Sequence, residues 1–265
     1  MDLGFTDATA VVVGGGRGMG LATARCLADD GAKLAIVGRT PAVLDEAVAD
    51  LTRRGSPDAV ALVADVTDAA QVDAVFAELG ARWDGKLNAL INTVGPGAVG
   101  NFEDLTDDQW RQAVDEGVLG MVHCVRSALP LLRNAEWARI VNFSAHSTQR
   151  QSVILPAYTA AKAMVNSVSK NLSLALAPDE ILVNVLSPGS VASESLVGWA
   201  STVGVDGNDP YALMAAIDKH FGHPAHLPRA GLPDEIGPVA AFLASKRNSY
   251  MTGANVNVDG GSDFT

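Results

Sequence analysis

Short β-rich apolar runs alternate with longer helix-patterned segments from one end of the chain to the other, and this alternation constrains the fold more than any other feature. The runs are Ala10–Val13, Leu34–Val37, Ala59–Val63, Ala89–Ile91, Arg139–Phe143, Ile181–Leu186 and Ala254–Val258, which predicts about seven strands. Helical spacing fills the intervals at Gly20–Asp29, Val43–Arg53, Ala69–Leu79, Asp107–Leu132, Tyr158–Leu176 and Asp234–Ala244. A strand that must pass through a helix before the next strand pairs with its neighbours in parallel, and the helices cover both faces of the resulting sheet. Right-handed crossovers then favour a doubly wound α/β sheet forming one domain over residues 1–265. One stretch breaks the rhythm. Residues 193–229 carry Gly204, Gly207, Pro210, Gly222, Pro224 and Pro228 around a short helical pattern at Tyr211–Phe221, and are expected to form an irregular lid.

The first strand runs straight through Gly14-Gly15-Gly16-Arg17-Gly18-Met19-Gly20 into the first helical segment. Glycines at such a junction permit a tight turn and close approach of the backbone to a pyrophosphate, while the helix N-terminus offers free N–H groups to the anion. Between the first strand and the first helix such a turn is expected to bind a dinucleotide, the alternative being a purely structural tight turn. The second strand ends in Val37-Gly38-Arg39-Thr40, without the carboxylate that would bind a ribose 2′-hydroxyl and repel a 2′-phosphate. Arg39 presents a planar fork to phosphate oxygens, and Arg17 approaches from the glycine turn, so NADP(H) is the expected cofactor. Asp65, beside Val66 after the third strand, either accepts a hydrogen bond from the adenine amino group or caps the helix beginning near Asp68.

Composition excludes several other classes. Apolar residues make up 48% and charged residues 18%, which suits a globule with a sizeable core. A formal charge of −11 opposes broad affinity for nucleic acid backbones. The two cysteines, Cys26 and Cys124, lack any metal-ligand spacing, and no metal is expected. No charged-then-apolar leader and no apolar stretch near the roughly 18 residues of a membrane span are present, so the expectation is a soluble cytoplasmic protein with no membrane partner.

Tyr158 and Lys162 stand four residues apart at the head of a long helical segment, on one face and about one turn apart. An ammonium beside a phenol favours the phenolate and lowers its pKa from the ordinary value of about 10, making the tyrosine a usable acid and base.

Together with the glycine turn, this pair makes the chain resemble the classical short-chain dehydrogenase/reductase family from end to end. Val13-Gly14…Gly18-Met19-Gly20 matches the cofactor turn, with valine where threonine is usual, and Asn92-Thr93-Val94-Gly95 falls on the segment after the fourth strand that lies beside the cofactor. Asn184-Val185-Leu186-Ser187-Pro188-Gly189 and Thr252-Gly253…Val258-Asp259-Gly260-Gly261 match two further motifs. The resemblance implies that Gly14, Gly16, Gly18, Met19 and Gly20 hold the pyrophosphate, that Pro188, Gly189 and Val191 flank the nicotinamide, and that Ser193 contacts its carboxamide. It also implies a homotetramer or dimer, built through the long helical segments and the C-terminal region.

The match fails at two positions of the family's Asn-Ser-Tyr-Lys centre. Gly117 stands where the asparagine belongs, with Asp115 and Glu116 as substitutes or surface charges, and Ala145 stands where the serine belongs. Ser144 is the expected replacement hydroxyl, with Ser147, or no serine at all, as the alternatives and His146 in the same loop. Gly117 is expected to keep the helix irregular and a carbonyl free for water.

The expected reaction is hydride exchange between nicotinamide and a carbonyl or alcohol, with Tyr158 handling the proton, most simply as reduction of a ketone. Leu196, Val197, Trp199, Val203, Leu213, Met214, Ile217 and Phe221 in the lid suggest an apolar substrate, or else pack the lid on the body. Two other readings stand beside this one: a cofactor-binding regulatory or scaffolding protein that has lost catalysis, and a reductase of imines or activated double bonds.

Overall fold

In the computed structural model of the protein the described residues are 2–222 and 224–262. Seven parallel strands form one sheet in the order β3-β2-β1-β4-β5-β6-β7. They are β1 (Thr9–Val13), β2 (Lys33–Gly38), β3 (Ala59–Val63), β4 (Ala89–Asn92), β5 (Ala138–Phe143), β6 (Ile181–Pro188) and β7 (Asn255–Val258), each overlapping a run predicted from the sequence. The order reverses at β1, whose neighbours are β2 on one side and β4 on the other. At such a switch point the flanking loops diverge and leave a crevice beyond the carboxyl ends of the strands.

Strand periodicity divides the core between the two faces of the sheet. Val11, Val13, Ala35 and Val37 point toward Phe76, Leu79, Val125 and Val165 on α3 (Ala69–Arg82), α5 (Gly120–Arg133) and α6 (Pro156–Ala175). Ala10, Val12, Leu34 and Ile36 point the other way, into Leu27, Leu44, Leu51 and Ala240 on α1 (Gly18–Asp29), α2 (Pro41–Arg53) and α9 (Pro233–Ala244). Both faces are dry, so the strands read as continuous apolar runs rather than as alternating ones. α9 lies so close on α1 that a Cβ at Gly237 would come within 2.6 Å of the Ala22 carbonyl carbon.

Two segments differ from the expectations. The single helix predicted over 107–132 is α4 (Asp107–Val114), a π-helical turn (Asp115–Leu119) and then α5. The wide turn brings Gly117 against Pro96 and Ala161, where a Cβ would lie 2.9 Å and 3.2 Å from ring and methyl carbons, so the irregularity expected at Gly117 is present. The segment 193–229, expected to form an irregular lid, is more regular than that. It contains α7 (Glu194–Thr202) ahead of α8 (Pro210–Phe221), and the sequence pattern misses α7 because Gly198 interrupts its short run. Ser193 starts α7 by accepting a hydrogen bond from the Leu196 N–H at 3.4 Å. Ala200, Leu213, Met214, Ile217 and Ala230 form a small core within the lid, and Trp199 and Phe221 pack beside it with ring centroids 4.6 Å apart.

Candidate active site

The glycine turn is shaped by what crowds it from below and by what it leaves open above. Thr93, just past β4, donates its hydroxyl to the Val13 carbonyl at 2.7 Å, and a Cβ on Gly14 would collide with that hydroxyl. A Cβ on Gly20 would fall on the Gly14 carbonyl oxygen. Gly18, in contrast, takes φ +52° at the first position of α1 and faces open space, with nothing within 4 Å of where a Cβ would stand. The turn therefore offers a bare backbone and a helix N-terminus, a cradle suited to a pyrophosphate. Gly14, Gly18, Met19, Gly20, Thr93 and Ser193 border a cavity of about 240 Å³ there.

A second cavity, of about 220 Å³, lies at the ends of β1 to β4 between Gly38, Arg39, Asp65, Val66, Val94 and Gly95, with Glu116 at its wall. Arg39 reaches out with 73% of its side chain exposed, 3.9 Å from an Asp65 oxygen, and Thr40 precedes α2 without spending its hydroxyl on the cap. No carboxylate stands at the end of β2. Asp65 accepts from the Thr67 N–H at 3.0 Å and hydroxyl at 2.8 Å, and these bonds hold its carboxyl below the usual range. Capping of α3 falls to Asp68, which accepts from Ala70 and Gln71, so Asp65 stays at the cavity. A carboxylate-free β2 end, an exposed guanidinium and the open glycine cradle fit NADP(H).

Tyr158 and Lys162 stand on the first turns of α6, which starts at Pro156. Lys162 is buried, and its ammonium donates to the Phe143 carbonyl at 2.8 Å and lies 3.5 Å from that of Val94. Gly95 makes room for it: a Cβ there would lie 2.9 Å from Nζ. Burial lowers the Lys162 pKa to about 8 and raises that of Tyr158 to about 12. The shift of the half-buried Tyr158 runs opposite to the lowering expected from Lys162, whose ammonium is turned to the Phe143 and Val94 carbonyls.

Both serines beside Ala145 are buried, and they bond differently. Ser144 donates to the Lys162 backbone carbonyl at 3.1 Å. Ser147, on a short 3₁₀ turn, accepts from the Thr159 hydroxyl at 3.2 Å. The same turn is braced by Asn166, which donates to the Thr148 hydroxyl at 3.2 Å, while Thr148 donates to the Ala145 carbonyl at 3.0 Å. Sequence reasoning misses Asn166 and Thr159, although Asn166 continues the four-residue step from Tyr158 and Lys162. Glu116 accepts from Gln112 at 2.8 Å and from the Gly97 N–H at 3.4 Å, so it helps to fix the loop after β4.

Asn92 donates to Asn142 at 2.8 Å, and Asn142 to Ser169 at 2.9 Å, tying β4, β5 and α6 together. The buried Asn92 Oδ1 has no partner among the described residues. Beyond β6, the Pro188 carbonyl accepts a hydrogen bond from His146 Nδ1 at 3.2 Å, Gly189 is pressed on Asp259, and Val191 bridges to Gly231. Arg17 is engaged elsewhere: its Nη1 lies 2.5 Å from Glu194 Oε2. Among the described residues no group of acids, histidines and cysteines is placed to hold a metal ion, and no helix is long and apolar enough to cross a membrane.

Comparison with known proteins follows the same lines. Residues 13–263 match the family model described as enoyl-(acyl carrier protein) reductase. Galactitol 2-dehydrogenase of Rhizobium johnstonii is 34% identical over 95% of this chain and 93% of its own length. The oxidoreductase asL5 of Sarocladium schorii is 32% identical over 97% of this chain and 96% of its own. The crystal structure of L-sorbose reductase from Gluconobacter frateurii, complexed with NADPH and L-sorbose, superposes with a TM-score of 0.91 at 27% identity and covers 100% of both chains.

Proposed function

The chain belongs to the short-chain dehydrogenase/reductase family and is an oxidoreductase acting between CH–OH and C=O, and from that premise we propose that it is an NADP(H)-dependent ketone reductase for small polyhydroxylated substrates. The observation that carries the catalytic reading is the Tyr158–Lys162 face of α6, with the Lys162 ammonium fixed on the Phe143 carbonyl and Gly95 cleared to receive it. Arg39 and Thr40 would hold the 2′-phosphate, and the turn from Gly14 to Gly20 the pyrophosphate. Asp65 and Val66 would border the adenosine, and Asn92 to Gly95 its ribose, while Pro188, Gly189, Val191 and Ser193 would border the nicotinamide.

A bound nicotinamide supplies the hydride. Tyr158 keeps its proton at neutral pH, holds it toward the carbonyl oxygen, and gives it up as negative charge develops there. Lys162 adds positive charge to the same face and stabilises the phenolate left behind. The replacement hydroxyl is better assigned to Ser147 than to Ser144. Ser144 spends its proton on the Lys162 carbonyl, whereas Ser147 is paired with the Thr159 hydroxyl, a contact in which either oxygen can donate, so its proton can turn to a substrate oxygen.

The substrate class shifts as well. Leu213, Met214 and Ile217 are used in the lid's own core, which removes much of the reason to expect an apolar substrate. The relatives include a galactitol dehydrogenase and a reductase bound to L-sorbose, which supports a ketose or related polyol. Consumption of NADPH and NADH, measured with a panel of ketoses and of apolar ketones, tests this reading. The expected result is NADPH-dependent reduction of a ketose, and reduction of apolar ketones alone would overturn the substrate assignment.

A further inference from the structure

Arg17 closes the glycine turn, whereas Glu194 opens the lid helix α7, and the two join in an ion pair across 177 residues of sequence. Both border the cavity above Gly18, and both border the wider groove outside it. The other two arginines around that groove share one acid: Arg25 pairs with Asp50 at 2.7 Å and Arg53 with Asp50 at 3.4 Å. Glu194 makes no second ion pair among the described residues.

The glycines that precede Arg17 and Arg39 pack on one residue of α2. Cβ atoms on Gly16 and on Gly38 would each lie 3.2 Å from the same methyl of Leu44 on α2, so the residues that follow these glycines flank one site at the start of α2. A 2′-phosphate at that site draws on both guanidinium groups. Glu194, meanwhile, is favoured in the first turn of α7 and borders a cavity suited to phosphate.

We propose that Glu194 sets the strength and selectivity of NADP(H) binding by holding Arg17 on the lid: the 2′-phosphate must take Arg17 from Glu194, and α7 is released as it does. This rests on the NADP(H) reading above. Both cofactors bring a pyrophosphate to the cavity that Glu194 borders, but only NADPH adds a 2′-phosphate that competes for Arg17, so removing the carboxylate strengthens NADPH binding more than NADH binding. An exposed pair of this kind is weak, with side-chain exposures of 55% and 63%, which puts the effect at roughly three- to fivefold in Kd.

The test measures Kd for NADPH and NADH by quenching of protein fluorescence in wild type, Glu194→Gln, Arg17→Gln and the double variant, with amide hydrogen exchange of α7 in the cofactor-free proteins. Expected are a roughly three- to fivefold tighter Kd for NADPH in Glu194→Gln, a smaller change for NADH, faster exchange in α7, and no effect of Glu194→Gln once Arg17 is gone. An unchanged NADPH-to-NADH ratio together with unchanged α7 exchange in Glu194→Gln overturns the proposal. Wild-type preference for NADH overturns the NADP(H) reading instead, and α7 exchange then decides whether the latch itself exists.

Discussion

Lys162 shows how a residue serves the site at the expense of the fold. Its folded pKa of about 8 lies below the ordinary 10.5 for lysine, so below pH 8 the folded state carries a charge that burial disfavours. The shift corresponds to a penalty on the order of 3 kcal/mol, which fades as pH rises from about 8 to 10.5 because the unfolded chain there binds the proton that the folded chain has lost. Lys162→Met is therefore expected to match or exceed wild type in denaturant midpoint at pH 7, with the difference narrowing toward pH 10, while activity is lost. Equilibrium unfolding across that pH range checks it. Tyr158 and Lys162 are legible in the sequence because a four-residue step is a local pattern. The part played by Gly95 is not, because its reason is the position of a lysine 67 residues away.

In the turn from Asp115 to Leu119 a glycine stands where the family resemblance puts an asparagine, and Pro96 of the neighbouring loop packs against it. A Cβ at Gly117 would lie 2.9 Å from the Pro96 ring, so Gly117→Asn is expected to destabilise the fold by about 1–3 kcal/mol rather than to restore a relay. Thermal unfolding of that variant measures the cost. On the 3₁₀ turn of residues 146–148, Ser147→Ala is expected to lower turnover by roughly 10²-fold or more, the order lost with one oxyanion donor, and Ser144→Ala to act mainly on stability. Steady-state rates for the two variants separate the roles. Long periodic elements such as α6 and α9 are readable from the sequence. The π turn, α7 and the choice between the two serines depend on packing between distant segments, which periodicity does not encode.

At the scale of the molecule, the strand–helix alternation is enough to give the sheet and its crevice, since parallel pairing and right-handed crossovers leave little freedom. It cannot give the lid its contents, because the same apolar residues suit a substrate or a small core, and here several serve the core. The outer faces carry exposed apolar residues on the long helical stretch and α6, namely Leu119, Met164 and Leu174, and Tyr250 and Met251 before β7. These support the assembly into a dimer or tetramer that the family resemblance implies, and sedimentation equilibrium is expected to return a mass of two or four chains. In the proposed reaction Tyr158 moves the proton while the strand-end groove holds NADPH. A single-turnover measurement of NADPH oxidation by a ketose, made on wild type and Tyr158→Phe with NADPH affinity measured on the same samples, tests it most directly. Expected are unchanged affinity and a rate lower by about 10²- to 10⁴-fold in the variant, whereas an equal rate in the two proteins would rule out Tyr158 as the proton donor.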